Sequence, residues 1–357
     1  MTEPTRIALV GAGHVSQYHL GAWADLPGTQ VVAVIDPDRD RATSRAREFG
    51  VGSAFATIDE ALENVAVDVL DIATPPSTHA DLLQHAFDRH LDAICQKPLC
   101  ADFDGAVAVA RRAREATSLV MVNDNWRYRS WYRQLKDLVD GGGLGTIFHV
   151  SSSARFAGTI RSSAHPDVPF SLARQPYFAE LDRFLLLESA IHQIDALRSV
   201  LGTPTTVHAR GHSIAPGIAG EDVVTLMLGY DRATAVIDRS YASHSIESAP
   251  VLSEHVRIEG TEGTATIDQN GTLTVVRDAP GGRQVETYPA EPRAYEQSYA
   301  TAFQHFIDAR SGLVPLESTI NDALGTLAVV FAAYDSMTSD ETVRIADFAA
   351  RHGWEEQ

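Results

Sequence analysis

The chain has 357 residues, enough for two domains of ordinary size, and 44% of them are apolar, which allows a sizeable core. Lys and Arg number 29 against 47 Asp and Glu, a formal charge of −18, and such a surface repels nucleic acid and anionic membranes. Two cysteines, Cys95 and Cys100, an N-terminus (MTEPTRIALV) without the basic and apolar regions of a signal peptide, and no window of membrane-span length predict a soluble protein of a reducing cytoplasm.

In chain order, the first third alternates strand-like and helix-like segments. RIALVGAG is an apolar run ending in glycines, followed by the helical spacing of HVSQYHLGAWADL. QVVAVIDPD and RDRATSRAREFG form a second such pair, VDVLDIATPP and STHADLLQHAFDRH a third, LDAICQKPL and ADFDGAVAVARRAREAT a fourth, and SLVMVND is a fifth strand. Alternation of this kind specifies an α/β domain, here over residues 1–123, with a parallel sheet and helices on both faces. After that the rhythm changes. GTIFHVSSSARF, TTVHARGHSI, DVVTLMLGY, TAVIDRSYAS, EHVRIEGTEGTATID and GTLTVVRD read as strands with turns between them. Residues 124–357 therefore read as an α+β domain with a large, mostly antiparallel open sheet. The helices LLLESAIHQIDALRSVLG, YEQSYATAFQHFIDARSG and STINDALGTLAVVFAAYDSM are expected to cover one face of it.

Gly11, Gly13 and Ser16 stand where a Gly-x-Gly-x-x-Gly turn places its glycines. The first makes the turn and the second lets backbone approach a pyrophosphate, which then sits on the N–H groups of the helix start. The third position only has to let helix and strand pack closely, and a serine is small enough. Asp36 ends the next strand at the separation expected of a ribose-binding acid. A carboxylate there repels a 2′-phosphate, so NAD is expected rather than NADP, although Arg39 nearby is of the type that accepts that phosphate.

Two further motifs, ATPPSTHADL after the third strand and CQKPL after the fourth, complete a pattern that resembles the Gfo/Idh/MocA family of NAD(P)-dependent oxidoreductases. The resemblance covers essentially the whole chain and implies a Rossmann domain followed by an open-sheet α+β domain. It places Gly11, Gly13, His14, Val15, Asp36, Thr74, Pro75, His79, Gln96, Lys97 and Asn125 around the cofactor. The family usually has Glu-Lys-Pro where this chain has Gln96-Lys97-Pro98. Its lysine lies beside the nicotinamide and hydrogen-bonds the reacting hydroxyl, a role that passes to Lys97. Gln96 removes a negative charge, which would let Lys97 lose its proton more easily. In MVNDNWRYRSWY, Asn125 and Arg127 match an Asn-x-Arg-aromatic pattern. Arg127 is a candidate either for a substrate oxygen or for the domain interface.

The family's second-domain signature, Asp-x-Gly-x-His-x-x-Asp, matches ESAIHQID: Glu188, Ala190, His192 and Asp195. In a regular α-helix the spacing i, i+4, i+7 puts Glu188, His192 and Asp195 on one face. Histidine suits removal of an alcohol proton because its ordinary pKa lies near the working pH, so His192 is the expected general acid/base. Glu188 would orient it or bond a second substrate hydroxyl, and Asp195 would meet substrate or anchor the helix. The long segment before this helix reads as an active-site loop, with Arg155, Arg174, Gln175 and Tyr177 as candidates for substrate recognition and His165 and His244 as lone pocket histidines. No metal is expected. The reading is an NAD-dependent oxidoreductase acting on a carbinol carbon of a sugar, cyclitol or sugar acid. Its alternatives are a redox-neutral enzyme that recycles its nucleotide and a non-catalytic NAD-binding regulator. The resemblance also implies a homodimer or homotetramer through the second sheet.

Overall fold

Buried runs at 7–10, 33–35, 69–72 and 93–95, apolar but for Asp71, become neighbouring strands in the computed structural model, which describes residues 3–244 and 254–355. The chain divides into two units, the first comprising residues up to 128 together with 295–324, the second the remainder. This division gives residues 295–324 to the first unit, where the change of rhythm led to the expectation of a single cut after residue 123.

The first unit runs β1 (Thr5–Val10), α1 (Ser16–Ala24), β2 (Thr29–Ile35), α2 (Arg39–Glu48), β3 (Ala54–Phe55), α3 (Ile58–Asn64), β4 (Val69–Ile72), α4 (His79–Asp88), β5 (Asp92–Gln96), α5 (Phe103–Ala113) and β6 (Val120–Asn123). The strands pair in parallel in the order β3-β2-β1-β4-β5-β6. The order reverses between β1 and β4, and the loops that leave the carboxyl ends of those two strands frame the place where doubly wound sheets bind ligands. Several helix starts are closed by their own side chains: Asp38, Thr57 and Asp102 accept backbone N–H groups of α2, α3 and α5.

The second unit contains α6 (Ser130–Asp140), β7 (Ile147–Arg155), α7 (Phe170–Arg174), α8 (Ile191–Leu201), β8 (Thr206–His212), β9 (Val223–Gly229), β10 (Thr234–Ser240), β11 (Glu254–Gly260), β12 (Thr264–Ile267), β13 (Leu273–Ala279) and β14 (Gly282–Tyr288). The segment read as one strand, EHVRIEGTEGTATID, is a hairpin of β11 and β12, turned where Gly260 N–H donates to Gly263 O at 2.9 Å. Then follow α9 (Ala294–Arg310), α10 (Ile320–Ser339), β15 (Val343–Arg344) and α11 (Ile345–Arg351). The nine-stranded sheet has the order β14-β13-β12-β11-β7-β10-β9-β8-β15, and β7 with β10 is its parallel pair. On β9 and β11 buried and exposed residues alternate, so Met227 and Arg257 lie on an open face.

α9 differs from expectation. Its Tyr299, Phe303 and Phe306 pack with Ile7, Trp23, Val69 and Ile94 in the core of the first unit, not on the second sheet. Phe303 and Phe306 are fully buried, and each contributes about 1.5–3 kcal/mol to holding the returning segment there.

Candidate active site

The first unit builds its part from the glycine turn. Gly11 has φ +99°, and a Cβ there would lie 2.6 Å from Ala73 O, so the position takes only glycine. At Gly13 a Cβ would meet nothing within 4 Å. Its backbone faces open space, as close approach of a pyrophosphate requires. Ser16 occupies the third position fully buried, and its Oγ donates to Gly13 O at 2.6 Å. Gln17 Nε2 donates to His14 O at 2.8 Å. Val15 caps α1 without a side-chain hydrogen bond, which leaves first-turn N–H groups for an anion. Asp36 is 6% exposed; Oδ2 accepts the Ala12 N–H and Oδ1 the Asp38 N–H, both at 2.9 Å. The carboxylate keeps further lone pairs for ribose hydroxyls. Arg39 is paired with Glu60, while Arg41 Nη1 stands 3.8 Å from Asp36 Oδ2. These residues fit a dinucleotide without a 2′-phosphate.

His79 stands between the loops after β4 and β5. Its Nδ1 stands 2.9 Å from Pro98 O and its Nε2 2.9 Å from Thr74 O. Burial pushes this imidazole below its ordinary value against the raising effect of those carbonyls. Thr74 Oγ1 meets Thr78 Oγ1 at 2.7 Å, and Pro75 O accepts the Thr78 hydroxyl at 2.8 Å. Lys97 follows β5 half-buried, and its peptide bond to Pro98 is cis. Gln96 is 7% exposed, with Oε1 accepting the Lys97 N–H at 3.0 Å and Nε2 standing 2.8 Å from His19 Nε2. Behind it His19 Nδ1 meets Asp71 Oδ1 at 2.8 Å. Sequence reasoning missed His19 and Asp71. The available signal was a charged residue inside the fully buried strand VLDI. Asn125 Nδ2 donates to Ser298 Oγ at 2.7 Å, and Arg127 pairs with Asp322 at 2.6 Å, so both side chains are held within the first unit.

In the second unit the signature helix does not start as a regular α-helix. Leu186–Ala190 form a π-helical turn, and α8 continues from Ile191. Such turns are rare and often sit at functional sites. Glu188 and His192 are half-buried, whereas Asp195 is 2% exposed and accepts from Thr326 Oγ1 at 2.9 Å. Arg198 Nη1 donates to the same hydroxyl at 2.8 Å. His192 and Asp195 both lie in regular α8, one turn apart, yet Asp195 is buried and bonded to Thr326 whereas His192 is half-buried.

Two acids outside the signature hold this helix and the preceding loop. Glu221 Oε1 accepts the Leu186 N–H at 2.9 Å and the Tyr334 hydroxyl at 2.8 Å. Asp222, fully buried, accepts Thr159 Oγ1 at 2.8 Å and the Ile214 and Ala215 N–H groups at 2.7 and 3.0 Å. Tyr241 hydroxyl meets Ser189 Oγ at 2.6 Å. Arg155 Nε donates to Asp238 Oδ2 at 3.0 Å, so its guanidinium is engaged on the sheet. Gln175 Nε2 donates to Tyr177 hydroxyl at 2.9 Å, and both are accessible. Arg174 lies over the Phe170 ring at 5.0 Å, His165 meets the same ring edge-on at 5.2 Å, and His244 is exposed. Among the described residues no three His, Cys, Asp or Glu are placed to hold a metal ion.

Comparison with known proteins gives the family. Residues 5–124 match the oxidoreductase family with an NAD-binding Rossmann fold, and residues 132–266 match the GFO/IDH/MocA C-terminal domain. The chain is 30% identical over 354 residues to D-apiose dehydrogenase of Rhizobium rhizogenes, covering 97% of this chain and 98% of the relative. It is 26% identical to scyllo-inositol 2-dehydrogenase (NAD(+)) of Bacillus subtilis, covering 97% of each. The crystal structure of an oxidoreductase from Agrobacterium radiobacter in complex with NAD+, L-tartaric acid and magnesium superposes with a TM-score of 0.87 at 29% identity, over 97% of this chain and 99% of that one. The chain belongs to the GFO/IDH/MocA family of oxidoreductases, with an NAD-binding Rossmann domain at its N-terminal end.

Proposed function

We propose that this NAD-dependent oxidoreductase oxidises a carbinol carbon of a sugar, cyclitol or sugar acid, with Lys97 and His192 handling the hydroxyl proton. The observation that carries the reading is that both residues stand at their motif positions in a chain that aligns end to end with sugar and cyclitol dehydrogenases. D-apiose is the first substrate to test. The tartrate in the Agrobacterium radiobacter complex keeps sugar acids among the candidates.

NAD, when bound, supplies a hydride acceptor. The chain's own residues do the rest. The Lys97 ammonium, on the loop that adjoins His79, hydrogen-bonds the reacting hydroxyl and stabilises the oxygen as its proton leaves. His192 takes that proton as the C–H bond gives up its electron pair. Glu188, on the accessible side of the same helix, orients His192 or binds a second hydroxyl. Gln175 and Tyr177 bind substrate on the preceding loop. The open face of the second sheet forms the contact of a homodimer or homotetramer, and the two unpaired, buried cysteines suit a reducing cytoplasm.

Incubation of the pure chain with NAD and a panel of aldoses, cyclitols and sugar acids tests the reading. NADH absorbance and product mass are followed together. One NADH per oxidised substrate is expected. Substrate converted without NADH would replace the reading with a redox-neutral reaction, and no conversion across the panel would leave the fold without this activity.

A further inference from the structure

Three polar side chains of the first unit form a chain that ends on Lys97. Asp71 lies on β4 with no exposure, and a carboxylate so placed is tolerated only where donors meet it. His19 Nδ1 stands 2.8 and 3.0 Å from its two oxygens, and Trp23 Nε1 donates to Oδ2 at 2.7 Å. On the other side of the imidazole, His19 Nε2 is 2.8 Å from Gln96 Nε2. Gln96 Oε1 accepts the backbone N–H of Lys97 at 3.0 Å.

One member sets the direction of all the others. A backbone N–H can only donate, so the Gln96 atom that faces it is the oxygen. The amide NH2 then faces His19, and His19 Nε2 must accept. Its proton therefore lies on Nδ1, towards Asp71. Every donor in the chain meets an acceptor, with the imidazole uncharged.

We propose that Gln96, braced by His19 and Asp71, is a positioning residue for Lys97, and that the amide at this position holds His19 in its uncharged Nδ1–H form. A glutamate at position 96 would offer acceptors to both sides. One oxygen would take the Lys97 N–H and the other would face the His19 Nε2 lone pair. That contact is resolved only by one more bound proton, on His19 or on the carboxyl group itself, in a site where an unpaired buried group is costly. The groups facing His19 are Asp71 from β4, Gln96 from β5, Trp23 on its own helix, and Tyr299 and Phe303 from α9, both with ring centres 5.2 Å away. Cys95 adjoins Gln96 on β5. Burial pushes the Tyr299 hydroxyl and the Cys95 thiol up, so neither takes part in proton exchange near neutrality. Asp71 is then the charged group in direct contact with His19, and Asp124 acts on the adjoining Tyr299.

The inference rests on the proposed role of Lys97 for its catalytic consequence, and its test separates the two. Histidine-labelled wild type and Gln96→Glu are compared by imidazole 15N spectroscopy near neutral pH, and their pH–rate profiles are measured beside that of Gln96→Leu. The expected wild-type signal for His19 is the neutral Nδ1–H tautomer. Gln96→Glu is expected to shift that signal, to add an ionisation to the rate profile, and to recover activity as pH falls and the extra proton is bound. Gln96→Leu breaks both bonds and is expected to lower kcat about ten- to a hundredfold by misplacing Lys97. An Nε2–H or doubly protonated His19 in the wild type would overturn the proposal. So would a Gln96→Glu variant with wild-type spectrum and profile. Full activity in Lys97→Met would instead overturn the catalytic role of Lys97, while the imidazole spectrum judges the hydrogen-bond chain independently.

Discussion

Asp36 accepts the Ala12 N–H at 2.9 Å, so the acid that ends β2 is bonded to the glycine turn that ends β1. With Arg41 Nη1 3.8 Å from the same oxygen, replacing the carboxylate exposes a cation where a 2′-phosphate would sit. Asp36→Ser is therefore expected to lower kcat/KM for NAD at least about tenfold, the cost of one lost charged hydrogen bond, and to raise it for NADP. Assays with both nucleotides check this; an unchanged preference would contradict the ribose-binding role.

The two glycines of the turn separate folding from binding. Gly11→Ala puts a methyl group 2.6 Å from Ala73 O at a positive φ and is expected to cost about 1–3 kcal/mol of stability. Gly13→Ala meets no protein atom within 4 Å. Its melting temperature should match wild type while NAD affinity, read by calorimetry, falls. Unimpaired NAD binding in Gly13→Ala would place the pyrophosphate elsewhere.

Asp195 is expected to serve stability rather than substrate. Asp195→Ala leaves the buried Thr326 hydroxyl without this acceptor and should destabilise the chain by about 1–3 kcal/mol, measured by urea unfolding. KM for the sugar should stay unchanged; a large rise in KM at normal stability would return Asp195 to the substrate site.

Acid sensitivity follows from His79. In the folded chain burial lowers its pKa, so the unfolded imidazole protonates first, at about 6.5, as pH falls. The unfolded state then binds more protons. The stability that His79 contributes is present above that pH and is lost as pH falls towards the folded value, at up to about 1.4 kcal/mol per pH unit. Denaturant unfolding of His79→Asn should show a shallower decline on acidification than wild type. Parallel declines would mean that His79 does not carry the effect.

Much of the fold was legible because parallel strands buried on both faces read as apolar runs, as in IALV and VVAVI, and because Gly11 has a steric demand that sequence displays. The home of α9 was not legible. Periodicity shows that Tyr299, Phe303 and Phe306 share a buried side, but not which sheet receives it. The direction of Asp195 was lost for a different reason. Spacing puts Asp195 one turn beyond His192 but does not show which flank of α8 the tertiary fold buries, and Asp195 falls on the flank that meets Thr326. His19, Asp71, Glu221 and Asp222 belong to no contiguous motif; what unites each with its partners is a tertiary hydrogen bond.

In the proposed reaction Lys97 and His192 carry the proton chemistry of an NAD-dependent oxidation. Its most direct test is kcat for Lys97→Met and His192→Asn on the substrate found with wild type, with NAD affinity measured in parallel. kcat is expected to fall about 10²–10⁴-fold in each while NAD affinity stays unchanged. Wild-type kcat in either variant would contradict it.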